Sequence, residues 1–251
     1  MNFALACILC FVLPVLATTL GSSLVFFMKN TSKSLLTITL GFAAGVMTSA
    51  SMWSLLLPAI EEATISWKNL FIVPIVLGFA FGTLFMLILE ALSSKFFEKD
   101  AEKGKIFRFF TAITIHNIPE GLSIGFALGS AFSLNSSPLS AFLFALGIAL
   151  QNLPEGLATA LPIYSSLKNH KKSFILGALS GIVEPIFTLV GFYLASTLAS
   201  LTPWLLAFSA GTVIFITIQE LTPEIHQENH SYGTLSFAFG FLFMMILDLV
   251  F

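Results

Sequence analysis

His116-Asn117-Ile118-Pro119-Glu120-Gly121-Leu122 returns, in altered form, as Gln151-Asn152-Leu153-Pro154-Glu155-Gly156-Leu157, 35 positions further on. Each copy sits in the middle of a long apolar run. A hydrocarbon core about 30 Å thick takes roughly 20 apolar residues as a helix, and both runs exceed that. The block therefore reads as polar chemistry placed at mid-membrane, twice, on Pro-broken helices. Repeated segments interrupted by Pro and Gly are the sequence pointer to a binding site inside a membrane carrier.

Working outward from the two copies, the chain of 251 residues divides into eight candidate spans, about 3–28, 35–58, 70–93, 106–132, 138–165, 173–198, 203–222 and 231–250. The expectation is an all-α polytopic membrane protein forming one transmembrane domain over 1–251. The residues are 57% hydrophobic and only 10% charged, against about 25% charged in soluble domains, so there is too little polar surface to cover a soluble core. The runs do not alternate with period two, which excludes a membrane barrel. The first run has no basic leader and continues to Met28, so it reads as a span and not a cleaved signal. A net charge of −2 and the lack of a basic stretch exclude nucleic acid as a partner.

Positive charge sets the orientation. Lys29 and Lys33, then Lys95, Lys99, Lys103, Lys105 and Arg108, then Lys168, Lys171 and Lys172 all fall in odd-numbered connections, leaving Lys68 alone in an even one. The basic side is the cytoplasm, so both termini are expected outside. Glu61 and Glu62 then stand near the outer mouth. Glu220, Glu224 and His226 stand near the inner one.

An ionised carboxylate in a bilayer is costly unless it is compensated. Glu120 and Glu155 have no intramembrane Lys or Arg to pair with, since every basic residue sits in a connection or at its edge, so protons or a bound cation must neutralise them. His116 and Glu120 are four apart and share a helix face, as do Gln151 and Glu155. Asn117 and Asn152 lie about 100° around and widen the site toward a second ion. Glu184, in Val183-Glu184-Pro185, adds a third mid-span acid. Imidazole, amide and carboxylate without thiolate suit zinc, iron, manganese or cadmium more than copper(I). Cys7 and Cys10 read as apolar filler. Glu90 and Asp248 read as acids hydrogen-bonded to neighbouring helices, and His170 and the segment from His226 to His230 as loop. Two other readings remain open at this point: a proton or monovalent-cation pathway through Glu120, Glu155 and Glu184, and a membrane metallohydrolase using His116 and Glu120.

The duplicated block, Gly41-Phe42-Ala43-Ala44-Gly45 with Leu57-Pro58 in the second span, and Glu220-Leu221-Thr222-Pro223 in the seventh resemble the ZIP (Zrt/Irt-like) family of divalent-metal transporters, its short bacterial members most of all. The resemblance covers nearly the whole chain. It implies a ZIP-like eight-helix bundle in a bacterial inner membrane, importing zinc and related divalent ions as substrate, with no cofactor and no enzymatic activity. It implies a binuclear site: His116, Glu120, Gln151 and Glu155 in one half, Asn117, Asn152 and Glu184 in the other, with Glu120 and Glu155 bridging. Met47 matches a position that can approach the first half. Alternating access would move spans one, four, five and six against the rest, and the rest would form a homodimer. Many members have a second His where this chain has Gln151, which implies a looser, less zinc-selective first half.

Overall fold

The computed structural model describes residues 2–27, 33–96, 102–225 and 230–250. Among them there is no strand. Helix α1 (Phe3–Ser23) starts where the Asn2 side chain accepts a hydrogen bond from the Ala4 N–H at 3.1 Å, satisfying one orphan donor of the first turn. Helix α2 (Lys33–Ala50) runs through a π-helical segment (Ser51–Leu56) into α3 (Leu57–Ser66). Then follow α4 (Ile72–Phe96), α5 (Glu102–Ser133), α6 (Leu139–Leu167), α7 (His170–Ser180), α8 (Val183–Thr197) and α9 (Thr202–Ile216). A second π-helical segment (Thr217–Leu221) joins α9 to α10 (Thr222–Ile225), and α11 (His230–Val250) completes the described chain. Seven helical stretches are long and apolar enough to cross a bilayer, and α5, 32 residues long, lies between the third and fourth of them.

Four local outcomes differ from the sequence expectations. Helices α5 and α6 are not broken: both continue through Pro119 and Pro154. A single proline removes one hydrogen bond, and close packing on neighbouring helices holds the turns together. The break falls instead on the sixth expected span. There α7 ends at Ser180, Gly181 and Ile182 form a turn, and α8 begins with Val183-Glu184-Pro185. Proline is tolerated in a first helical turn, where its N–H would have no partner anyway. Thirdly, the second expected span does not stop at Pro58. The π segment shifts the hydrogen-bond register so that Pro58 falls in the first turn of α3, and the helical run extends from Thr37 to Ser66. Thr222-Pro223 repeats this device after the second π segment. His170 also departs from the loop reading. It heads α7, capped by Asn169, whose side chain accepts from the Lys172 N–H, and its ring stacks on Tyr164 at 4.1 Å.

Helix packing is set by glycine. In membranes small residues let backbones approach closely, and four pairs here are seamed that way: α1 with α6, α2 with α11, α4 with α9, and α5 with α8. On α5, Gly121, Gly125 and Gly129 lie one turn apart and face Glu184, Thr188 and Phe192 of α8. Gly156 of α6 faces Thr18 of α1. The glycine of each repeated block thus brings a third and a fourth helix against the polar centre. Most of the α2, α6 and α9 spans are buried, whereas α1, α4 and α11 turn large apolar side chains outward, as lipid-facing helices do.

Candidate metal centre

Glu120 and Asn117 on α5, Gln151 and Asn152 on α6 and Glu184 on α8 are all buried, while Glu155 is half-buried. They converge. Gln151 Nε2 donates to Glu120 Oε1 at 2.7 Å and to Asn152 Oδ1 at 2.8 Å. Asn152 Nδ2 donates to both oxygens of Glu184, at 2.9 and 2.8 Å. No Lys or Arg lies between Arg108 and Lys168 or after Lys172, so amide N–H groups do the compensating that a basic residue would do elsewhere.

The turn between α7 and α8 explains two of these positions. It places Glu184 in the first turn of α8, where the helix dipole favours negative charge. The Glu184 N–H bonds back to Gly181 at 3.2 Å, and the Ser180 carbonyl takes the Asn117 amide instead, at 2.9 Å. Buried carbonyls need such partners. With its N–H committed to Ser180, Asn117 keeps a buried Oδ1 that has no hydrogen-bond partner. That oxygen is a hard donor ready for a cation.

Helix α1 contributes two groups that sequence reading missed. Thr18 Oγ1 lies 3.1 Å from the Pro14 carbonyl and 3.5 Å from Glu184 Oε1. The same Pro14 carbonyl accepts from Asn152 at 3.4 Å. The available signal was Pro14 with Thr18 four residues later in an apolar helix, a pattern weaker than an acid in the bilayer.

The side chains of Glu90, His116, Glu220 and Glu224 lie outside the described residues, as does the whole of His226. Met47 is buried on α2. Its sulfur accepts from Thr217 Oγ1 at 3.8 Å, which ties it to the second π segment. Asp248 accepts from Ser54 Oγ at 2.7 Å, linking α11 to the first π segment as a hydrogen-bonded acid. Cys10 is buried with its thiol toward the Ala141 carbonyl at 3.7 Å.

Among the described residues, no three His, Cys, Asp or Glu side chains form a ready metal cage. The centre is instead three acids and three amides on three helices, a set of oxygen donors with hydrogen bonds between them. Carboxylate and amide oxygens of this kind are hard donors suited to divalent cations. A cavity of about 400 Å³ opens beyond it, with Ser54, Glu61, Glu62, Ser130 and Thr202 among its walls. Between cavity and centre, α5 places Ile124 and Leu128 and α6 places Phe144 and Ile148, all buried, while the buried Ser123 hydroxyl is turned back onto the Pro119 carbonyl.

A many-helix membrane protein with a buried carboxylate–amide centre is the class these features define. The ZIP Zinc transporter family model matches residues 105–248. Zinc transporter ZIP11 of Xenopus tropicalis is 32% identical, over 92% of this chain and 93% of its own length. Zinc transporter ZupT of Chlorobaculum parvum is 32% identical, over 94% and 93%, and ZupT of Streptococcus mutans is 34% identical, over 94% of each chain. The chain belongs to the ZIP family. Membership makes it a multi-pass membrane transporter and not an enzyme, which removes the metallohydrolase reading. Metal is its cargo and not its cofactor.

Proposed function

We propose that this protein imports zinc, and with it iron, manganese or cadmium, across a bacterial inner membrane through a binuclear site between α5, α6 and α8. The observation that carries the proposal is the buried group of Glu120, Gln151, Asn152 and Glu184, joined at 2.7–2.9 Å on segments without Lys or Arg, 109–167 and 173–251. One half of the site is His116, Glu120, Gln151 and Glu155. The other is Asn117, Asn152 and Glu184, with Glu120 and Glu155 bridging, and Met47 approaches from α2. Glu220, Glu224 and His226 lie on the inner exit path. The chain is one transmembrane domain, 1–251. It crosses the bilayer eight times with both termini outside, α5 supplying the eighth span.

Alternating access moves α1, α5, α6 and α7–α8 against α2–α3, α4, α9–α10 and α11, the second set also forming a homodimer. The helix pairs support this division. The glycine seams join α1 to α6 and α5 to α8 in one set, and α2 to α11 and α4 to α9 in the other. Each described site residue on α5, α6 and α8, and Thr18 with them, belongs to the first set, so the centre travels with its helices. Glu61 and Glu62 gather cations at the outer cavity, and the apolar layer beneath it closes the outer path.

Uptake of zinc, cadmium, manganese and iron into proteoliposomes carrying an internal metal-sensitive dye tests the proposal. Wild type is expected to take up metal, and Glu120→Gln and Glu155→Gln to lose at least about tenfold of it. Uptake unchanged in both variants refutes the site. Proton flux without metal uptake, dependent on the same glutamates, establishes the ion-pathway reading in its place.

A further inference from the structure

Gln151 and Asn152 are proposed above as ligands, but their hydrogen bonds assign them a second task. An amide binds a cation through its oxygen. Here the Gln151 nitrogen is turned to Glu120 Oε1 and Asn152 Oδ1, at 2.7 and 2.8 Å. The Asn152 nitrogen is turned to both oxygens of Glu184, at 2.9 and 2.8 Å. Asn152 Oδ1 in turn faces Gln151. The oxygens that would hold a cation thus receive N–H protons on part of their lone pairs. An amide cannot aim its N–H and its oxygen at one point, so binding a cation through these amides requires each of them to turn over.

We infer that the Gln151–Asn152 pair is a latch: its N–H groups replace the cation on Glu120 and Glu184 whenever the carrier holds no cargo, and so set the rate at which the unloaded carrier returns. A carrier that delivers a cation must recross with its acids buried. Glu120 and Glu184 are each 1% exposed, and no Lys or Arg lies between Arg108 and Lys168 or after Lys172. Charge-assisted N–H bonds lower the cost of carrying such acids through hydrocarbon. The latch joins α5, α6 and α8, which all belong to the set proposed to move, so it does not obstruct the motion. Gln151 and Asn152 are then positioning residues for the return step as well as ligands for the loaded one.

The inference rests on the transport reading, and the test separates the two. Asn152→Asp and Gln151→Glu keep an oxygen ligand and remove the N–H donors. In proteoliposomes, net zinc uptake requires the unloaded carrier to return, whereas exchange of labelled external zinc for internal zinc does not. The ratio of net uptake to exchange should fall about tenfold in either variant, the scale of one lost charge-assisted hydrogen bond. Chelator-stripped variants should also unfold at lower temperature than chelator-stripped wild type, with a larger recovery on adding zinc. A wild-type ratio in both variants overturns the latch. If wild-type vesicles move no metal, the transport reading falls. Unfolding of the stripped proteins then decides the latch alone, and equal temperatures for variants and wild type overturn it.

Discussion

Replacing Gly121 by alanine is the sharpest structural perturbation of the centre. A Cβ there would lie 2.9 Å from Glu184 Cα and 3.1 Å from its carbonyl carbon, and closer still to the carbonyl oxygen. Carbon atoms settle at about 3.5–4.0 Å, so α8 must retreat by at least about 0.6 Å. Backbone cannot step aside as a side-chain tip can. The two bonds from Asn152 to Glu184, now 2.9 and 2.8 Å, would then open past the roughly 3.2 Å at which N–H···O bonds are ordinarily found. Overpacking of this kind costs about 1–3 kcal/mol of stability, and a loss of about 1.4 kcal/mol in cation binding is tenfold in Kd. Calorimetric titration with cadmium should show Kd rising about tenfold in Gly121→Ala. Gly129→Ala is the control. Its Cβ would lie 2.8 Å from Ala195 Cβ, an equal crowding of the same helix pair two turns from the acids. It should lose similar stability and keep its affinity. Wild-type cadmium binding in Gly121→Ala, or an equal loss in Gly129→Ala, would refute the reasoning that this glycine positions Glu184.

Asn117→Leu removes both the N–H that caps the Ser180 carbonyl and the open Oδ1. It should cost about 1–3 kcal/mol in thermal or denaturant unfolding and weaken the second of two bound cadmium ions more than the first, as read by titration. Gln151→His exchanges an oxygen donor for a nitrogen donor and should shift uptake toward zinc over manganese in a competition assay; a flat preference would show that residue 151 does not face the ion. Protons compete with metal for the carboxylates and for a neutral His116, so affinity should fall as pH is lowered from 7.5 to about 5.5, the sense in which ligand protonation always acts. Cadmium titrations at the two pH values check it, and affinity rising at acid pH would contradict it.

The polar block was legible because it breaks the strongest rule of its surroundings. Two acids in a bilayer, on a stretch of sequence with no Lys or Arg between Arg108 and Lys168, need a purpose, and the repeat places them together. Glu184 could be found for the same reason. The site of the helix break could not, because Pro119 and Pro154 carry the stronger local signal against helix. Packing of α5 and α6 along their glycines overrides that signal. Ser180-Gly181-Ile182-Val183, with one glycine and no proline, is where the chain turns, because Pro185 opens α8 and Asn117 caps the carbonyl left behind. The extension of the second span past Pro58 was hidden likewise, since a π segment that absorbs a proline has no periodic signature. Pro14 and Thr18 became visible as part of the centre only through the approach of α1 at Gly156, a contact between residues far apart in the chain.

The central claim is that the cargo binds among Glu120, Glu155 and Glu184 within the bundle. Anomalous diffraction from crystals of the protein loaded with cadmium tests it directly. The account predicts two neighbouring peaks between α5, α6 and α8, both in contact with Glu120 or Glu155 and one also with Glu184. Peaks confined to outer acids such as Glu61 and Glu62, with none at Glu120 and Glu155, would contradict it.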